Sequence, residues 1–174
     1  MNTYDDNFEI PAPDENVVCF YHEYEENGCF SNWYRAEFEY AGKRFTSVEQ
    51  YMMYRKAITF GDTETAQAIL STDNVGKIKA LGRSVLGYSD TVWNGIRQIV
   101  VYRALLEKFR QNPDLKAQLL ATHPHTLAEC ALQDKIWGIG MTMHDEYRFE
   151  PDLWPGQNLL GFTLMMVRDQ LSKE

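Results

Sequence analysis

The chain has no apolar run approaching the length needed to cross a bilayer, and its first residues lack the basic-then-apolar order of an export signal. Both absences point to a cytoplasmic protein without a membrane partner. Cysteine is scarce: Cys19, Cys29 and Cys130 cannot all pair, and none stands in a CxxC arrangement, so they read as reduced thiols and not as a disulfide framework or a zinc site. Positive charge is short as well. Against 17 Lys+Arg stand 25 Asp+Glu, a formal net charge of -8, which opposes sequence-independent binding along a nucleic-acid backbone. Much of the acid lies in the N-terminal segment and in Glu23 to Glu26, which leaves room for a small basic site holding one phosphorylated ligand. No internal repeat or low-complexity tract breaks the chain.

What is present suits one compact domain. The 174 residues are 44% hydrophobic and 13% aromatic, enough to build a sizeable core. Residues 1–16 are acidic and carry Pro11 and Pro13, and they read as a flexible arm before a single domain over 17–174. Residues 17–21 have strand character, and 38–45 alternate around Ala41-Gly42 as a small hairpin. Helical signals follow at 62–71, at 74–81, from Ser89 or Asp90 to about 111, at 113–120 and at 158–171. The predicted fold class is α+β, a mainly helical single domain with a small antiparallel β element.

Between the hairpin and the residue-62 helix lies the stretch that carries most chemistry. Thr46 or Ser47 caps a helix, with Glu49 or Gln50 completing a capping box. Glu49, Met52, Met53 and Lys56 then fall on one helix face. A carboxylate and an ammonium beside two methionines cost several kcal/mol, on the order of the penalty for buried ions, unless they pair or face a cavity. Two readings stand: a pocket lined by both charges, or side chains that reach the rim while Glu49 complements the helix N-terminus.

Elsewhere, Ser31 and Asn32 sit between Phe30 and Trp33 as polar groups of a turn, and that turn either faces a ligand or caps its own backbone. Trp93 and Arg97 share the long helix, Trp93 on its apolar face and Arg97 one turn later, where a guanidinium calls for a carboxylate or phosphate. The pair His123 and His125 flanks a proline, has no third ligand nearby, and reads as a loop. Residues 134–140 place Trp137 among Gly138 and Gly140, with Asp134 in the stretch and Glu129 just before it, a ligand platform or a glycine-rich structural loop.

Several blocks, taken in order, resemble the NADAR superfamily and within it the YbiA-like N-glycosidases. The carriers are Phe30-Ser31-Asn32-Trp33, Ser47-Val48-Glu49-Gln50 with Lys56-Ala57, Gly82-Arg83, Trp93 with Arg97, Lys108-Phe109-Arg110-Gln111-Asn112, Leu119-Leu120-Ala121-Thr122, Leu127 with Glu129, Asp134-Lys135-Ile136-Trp137-Gly138-Ile139-Gly140, and Asn158-Leu159-Leu160-Gly161. The resemblance implies hydrolysis of N-glycosidic bonds in ribosylated compounds. For YbiA-like members the implied substrates are ribosylamino-pyrimidine phosphates of riboflavin synthesis. Other members imply NAD and ADP-ribose metabolism, including removal of ADP-ribose from guanine in nucleic acids.

On this reading Glu49 stabilises an oxocarbenium-like ribose and orients water, while Asp134 or Glu129 holds the base or supplies a proton. Trp93 or Trp137 stacks on the base. Lys56 and Arg97 bind the ribose phosphate, or Lys56 forms a Schiff base with an opened ribose. Ser31, Asn32, Gly138 and Asn158 complete the expected substrate contacts, and no metal or organic cofactor is expected. A module that binds ADP-ribose without turnover is the rival from another class, disfavoured because recognition alone needs cations and stacking more than two acids.

Overall fold

A computed structural model describes residues 16–174; the N-terminal arm expected over 1–16 lies outside the described residues except for Asn16. The first strand, β1 (Val17–Phe20), pairs in parallel with β4 (Thr126–Glu129), Val17 opposite Thr126 and Phe20 opposite Glu129. Both segments have strand character in the sequence, but their parallel partnership adds a second β element to the antiparallel one. That element is the hairpin of β2 (Phe38–Tyr40) and β3 (Lys43–Phe45). Ala41 and Gly42 turn it with φ of 50° and 74°, the left-handed pair that a tight two-residue hairpin loop demands.

Between the strands run α1 (Val48–Thr59), α2 (Thr63–Leu70), α3 (Val75–Arg83), α4 (Asp90–Gln111) and α5 (Pro113–Ala121), and α6 (Leu159–Leu171) closes the chain. The starts of α2 and α3 carry side-chain caps. Asp62 accepts from the Thr65 N–H at 3.0 Å and Asn74 from the Lys77 N–H at 2.8 Å, each satisfying an orphan donor of a first helical turn. The residue before Pro113 ends α4, as the steric restriction on that position requires.

Helix α1 packs on α2, α3 and α4, while α4 and β4 both pack on α6. The main core gathers Phe20, Phe30, Phe45, Tyr51, Leu105, Phe109, Leu127 and Leu164, all essentially removed from solvent. Aromatic edges order its hairpin side: Phe45 and Tyr51 meet T-shaped at 5.0 Å. A smaller cluster of Cys19, Ala128, Cys130 and Ile139 packs beside the parallel pair. With helices on the main core and only short strand pairs, the chain is a single-domain α+β fold.

Candidate active site

The approach of α3 to α1 makes the cleft. Gly82 lies directly against the Met53 side chain, where any Cβ would collide with it, so the two helices come close and α3 brings Lys79 and Arg83 beside α1. The cleft has two lobes. The inner one, about 350 Å³, is lined by Asn32 and Trp33, by Glu49, Met52, Met53 and Lys56 of α1, by Lys79 and Arg83 of α3, by Glu129, and by Asp134, Ile136 and Trp137. The outer one, about 260 Å³, shares Trp33, Lys79, Arg83, Glu129 and Asp134 and adds Tyr21, His22, Ser31 and Gln133.

The start of α1 resolves the open capping register. Ser47 is the cap, accepting from the Gln50 N–H at 3.1 Å, and Gln50 Oε1 in turn accepts from the Thr46 N–H at 2.8 Å. The Gln50 amide also donates to the carbonyls of Ile69 and Thr72. Gln50 thus fastens the helix start to α2, and Glu49 is left out of the cap. The Glu49 N–H is held by the Asn32 carbonyl at 2.9 Å, while its side chain lines the inner lobe with the residue only 3% exposed. Burial pushes the Glu49 carboxyl up to about 7, an effect opposed by Lys79, Arg83 and Lys56 and reinforced by Asp134.

Glu129 ends β4 at the junction of the lobes. Its Oε2 is buried without a hydrogen-bond partner, and burial, with Asp134 and Glu49 adding to it, lifts its carboxyl to about 8. Asp134 is differently engaged. Its Oδ1 accepts from the N–H groups of Ile136 at 2.9 Å and Trp137 at 2.8 Å, so this acid shapes the loop that presents Trp137. Three acids therefore converge on one cleft, two of them poised to hold a proton near neutral pH and one spent partly on architecture.

Cations answer them. The Lys56 ammonium donates to the Gly82 carbonyl at 2.8 Å and lies 4.2 Å from the Tyr88 ring centroid; burial draws its pKa down, with Asp90 and Glu49 opposing. Lys79 sits 5.3 Å from the Trp33 ring centroid, a cation over an aromatic face. Lys79, Arg83 and Trp33 are absent from the expected contacts, yet all three line both lobes. A signal for the two cations exists in the sequence: they stand four apart on a helix, Val75–Arg83, that contains no acid, in a chain with a net charge of -8.

Of the expected site residues, Glu49, Lys56, Asn32, Glu129, Asp134 and Trp137 meet in the inner lobe and Ser31 lines the outer one. The others are corrected. Trp93 is 5% exposed and packs in the main core, because the apolar face of α4 is turned inward. Arg97 bends along its own helix to donate to Asn94 at 2.8 Å and lines neither lobe. Gly138 is needed for close approach, but to protein: a Cβ there would stand 2.8 Å from the Glu129 carbonyl oxygen and 2.9 Å from that of Asp134. Asn158 is wholly buried. Its amide donates to the Leu127 carbonyl at 2.7 Å and its Oδ1 accepts from the Glu129 N–H at 3.1 Å, so it pins β4 and positions Glu129 without lining the cleft. His123 and His125, in the turn before β4, line neither lobe.

The NADAR domain family matches residues 19–172. N-glycosidase R617 of Acanthamoeba polyphaga mimivirus is 41% identical over 146 residues, 81% of this chain and 86% of that protein. The riboflavin biosynthesis protein VVA0006 of Vibrio vulnificus is 31% identical over 159 residues, 91% of this chain but 40% of that longer protein. The NMR structure of the Escherichia coli protein YbiA superposes with a TM-score of 0.76 at 27% identity, covering 94% of this chain and 89% of that one. With the family matched across nearly all of the described residues and the same fold found in a solved relative, the chain belongs to the NADAR family.

Proposed function

We propose that the inner lobe hydrolyses the bond between ribose and an exocyclic or ring nitrogen of a heterocyclic base, with ribosylamino-pyrimidine phosphates of riboflavin synthesis as the substrates. The chain is a hydrolase of N-glycosyl bonds, the activity named for its relatives R617 and YbiA. The observation that carries the reading is the pairing of two buried carboxyls, Glu49 and Glu129, with a set of cations in one cleft.

Cleavage builds positive charge on the anomeric carbon and negative charge on the departing nitrogen. Ionised Glu49, in the first turn of α1 where the helix dipole also favours an anion, stabilises the former and orients the attacking water. Protonated Glu129 donates to the nitrogen, and Asp134 keeps Trp137 in place as a flat wall for the base. Lys79 and Arg83 take over the phosphate contact expected of Arg97, and Lys56 lines the same lobe with Glu49 in its electrostatic reach.

Two observations favour specific variants of this reading. The lowered pKa of Lys56 suits an amine that attacks C1 of the ribosyl group, so that the base departs with its nitrogen and the opened ribose stays on Lys56 as a Schiff base until water hydrolyses it. The outer lobe, continuous with the inner one past Lys79 and Arg83, suits a larger substrate such as ADP-ribosylated guanine. Incubation of the protein with a ribosylamino-pyrimidine phosphate and, separately, with an ADP-ribosylated guanine oligonucleotide decides the substrate by whether the sugar phosphate or ADP-ribose is released. Borohydride present during turnover decides the mechanism: a mass adduct on Lys56 that forms with the substrate but not with the released sugar phosphate rejects direct attack by water.

A further inference from the structure

Lys108, in the middle of the helical face formed by Val101, Ala104, Leu105 and Phe109, is fully buried. No carboxylate pairs with it among the described residues. Its ammonium donates instead to the carbonyls of Cys29 at 2.6 Å and Ser31 at 3.1 Å, and the rings of Tyr34 and Phe109 lie 5.3 and 5.2 Å away. A buried charge held only by carbonyls and ring faces is weak as a source of stability, since an apolar side chain of the same volume avoids its desolvation. Its position explains it better. The two carbonyls flank Phe30 and lead into Asn32, whose own carbonyl holds the Glu49 N–H at 2.9 Å. Asn32 and Trp33 then line the inner lobe. Charge-assisted hydrogen bonds are shorter and stronger than neutral ones, so the ammonium draws this turn inward and fixes where α1 begins.

We propose that Lys108 is a positioning residue that sets the placement of Glu49 through the Ser31–Asn32 backbone. The inference rests on the role given above to Glu49. Burial brings the Lys108 pKa down to about 7, so the clamp changes charge in the working range. The titratable side chains facing it are Cys29, whose thiol burial pushes up and whose S–H donates to Gln118 of α5, and Tyr34.

The test is a double-mutant cycle of Lys108→Met with Glu49→Gln, read as kcat and KM on the hydrolysed substrate. Misplacing a reacting group by about 1 Å costs on the order of 10²-fold, so Lys108→Met is expected to lower kcat at least about 10-fold with KM little changed. In the Glu49→Gln background it is expected to add almost nothing. Losses that multiply, a change confined to KM, or no loss would overturn the proposal. Full turnover by Glu49→Gln alone would instead overturn the role of Glu49 itself.

Should Lys108→Met not fold, NMR on Glu49→Gln gives the same decision. The backbone amide at position 49 is expected to shift with the midpoint of the Lys108 Cε resonance. An amide that ignores that midpoint overturns the proposal.

Discussion

Glu49→Gln separates chemistry from folding because the structure assigns opposite signs to the two effects. The wild-type carboxyl is raised from 4.5 to about 7 by burial, a change equivalent to about 3 kcal/mol. A raised carboxyl pKa means that its full contribution to stability is present below 4.5 and is lost as pH climbs through about 7. The wild type should therefore lose up to about 3 kcal/mol from this group between pH 4.5 and 8, while the variant has no such titration. The amide introduced has its own desolvation cost, but that cost is independent of pH, so the quantity to compare is the difference in melting temperature between the proteins at pH 5 and pH 8. For a chain of this length about 1 kcal/mol moves Tm by roughly 2–4 °C. Relative to the wild type, the variant should gain about 5–10 °C between the two pH values. Turnover at pH 7.5 should fall about 10²-fold or more, the scale of losing a placed electrostatic group. Equal pH slopes of Tm would refute the buried ionisation, and near-normal turnover would refute the role in chemistry.

The two raised carboxyls predict a narrow bell for kcat/KM. Activity should rise as Glu49 ionises near 7 and fall as Glu129 loses its proton near 8, with the Lys108 clamp losing its charge in the same range, so that the limbs belong to coupled groups; in Glu129→Gln most of the rate should be lost, and the alkaline fall that remains should be that of Lys108. Lys79→Ala and Arg83→Ala should each raise KM about 10-fold or more for a phosphorylated substrate and much less for its dephosphorylated nucleoside, as steady-state kinetics on the two compounds would reveal. Asn158→Ala strips two hydrogen bonds from β4 and should cost about 2–6 kcal/mol in urea unfolding, since each buried group left unpaired costs about 1–3 kcal/mol; a loss below about 1 kcal/mol would mean water replaces the amide.

Local signals carried most of the elements. The hairpin was legible in Ala41-Gly42, α1 and α4 in their caps, and the junction of α4 with α5 in Pro113, because these depend on neighbours a few residues away. The pairing of Val17 with Thr126 was not, since nothing in either short apolar segment names a partner across five helices. At the site, the shared face of Glu49 and Lys56 was readable from periodicity, whereas the fate of Gln50 needed the carbonyls of Ile69 and Thr72. Trp93 and Trp137 look equally able to stack on a base. Packing of α4 buries the first, and the Asp134 turn presents the second to the cleft. Asn158 shows the same limit: its place before a helix suggests a cap, but its side chain makes no capping bond and reaches across to β4.

The central claim, water-dependent cleavage of a ribosyl–nitrogen bond in the inner lobe, is tested most directly in ¹⁸O-labelled water. Purified protein would be given a ribosylamino-pyrimidine phosphate, and the released sugar phosphate and base would be followed by mass spectrometry against a no-enzyme control. The account predicts equimolar release, with one ¹⁸O carried by the sugar phosphate when it is analysed before its anomeric oxygen exchanges. Saturable binding of the same compound with no release above the control would contradict it and make the cleft a recognition site.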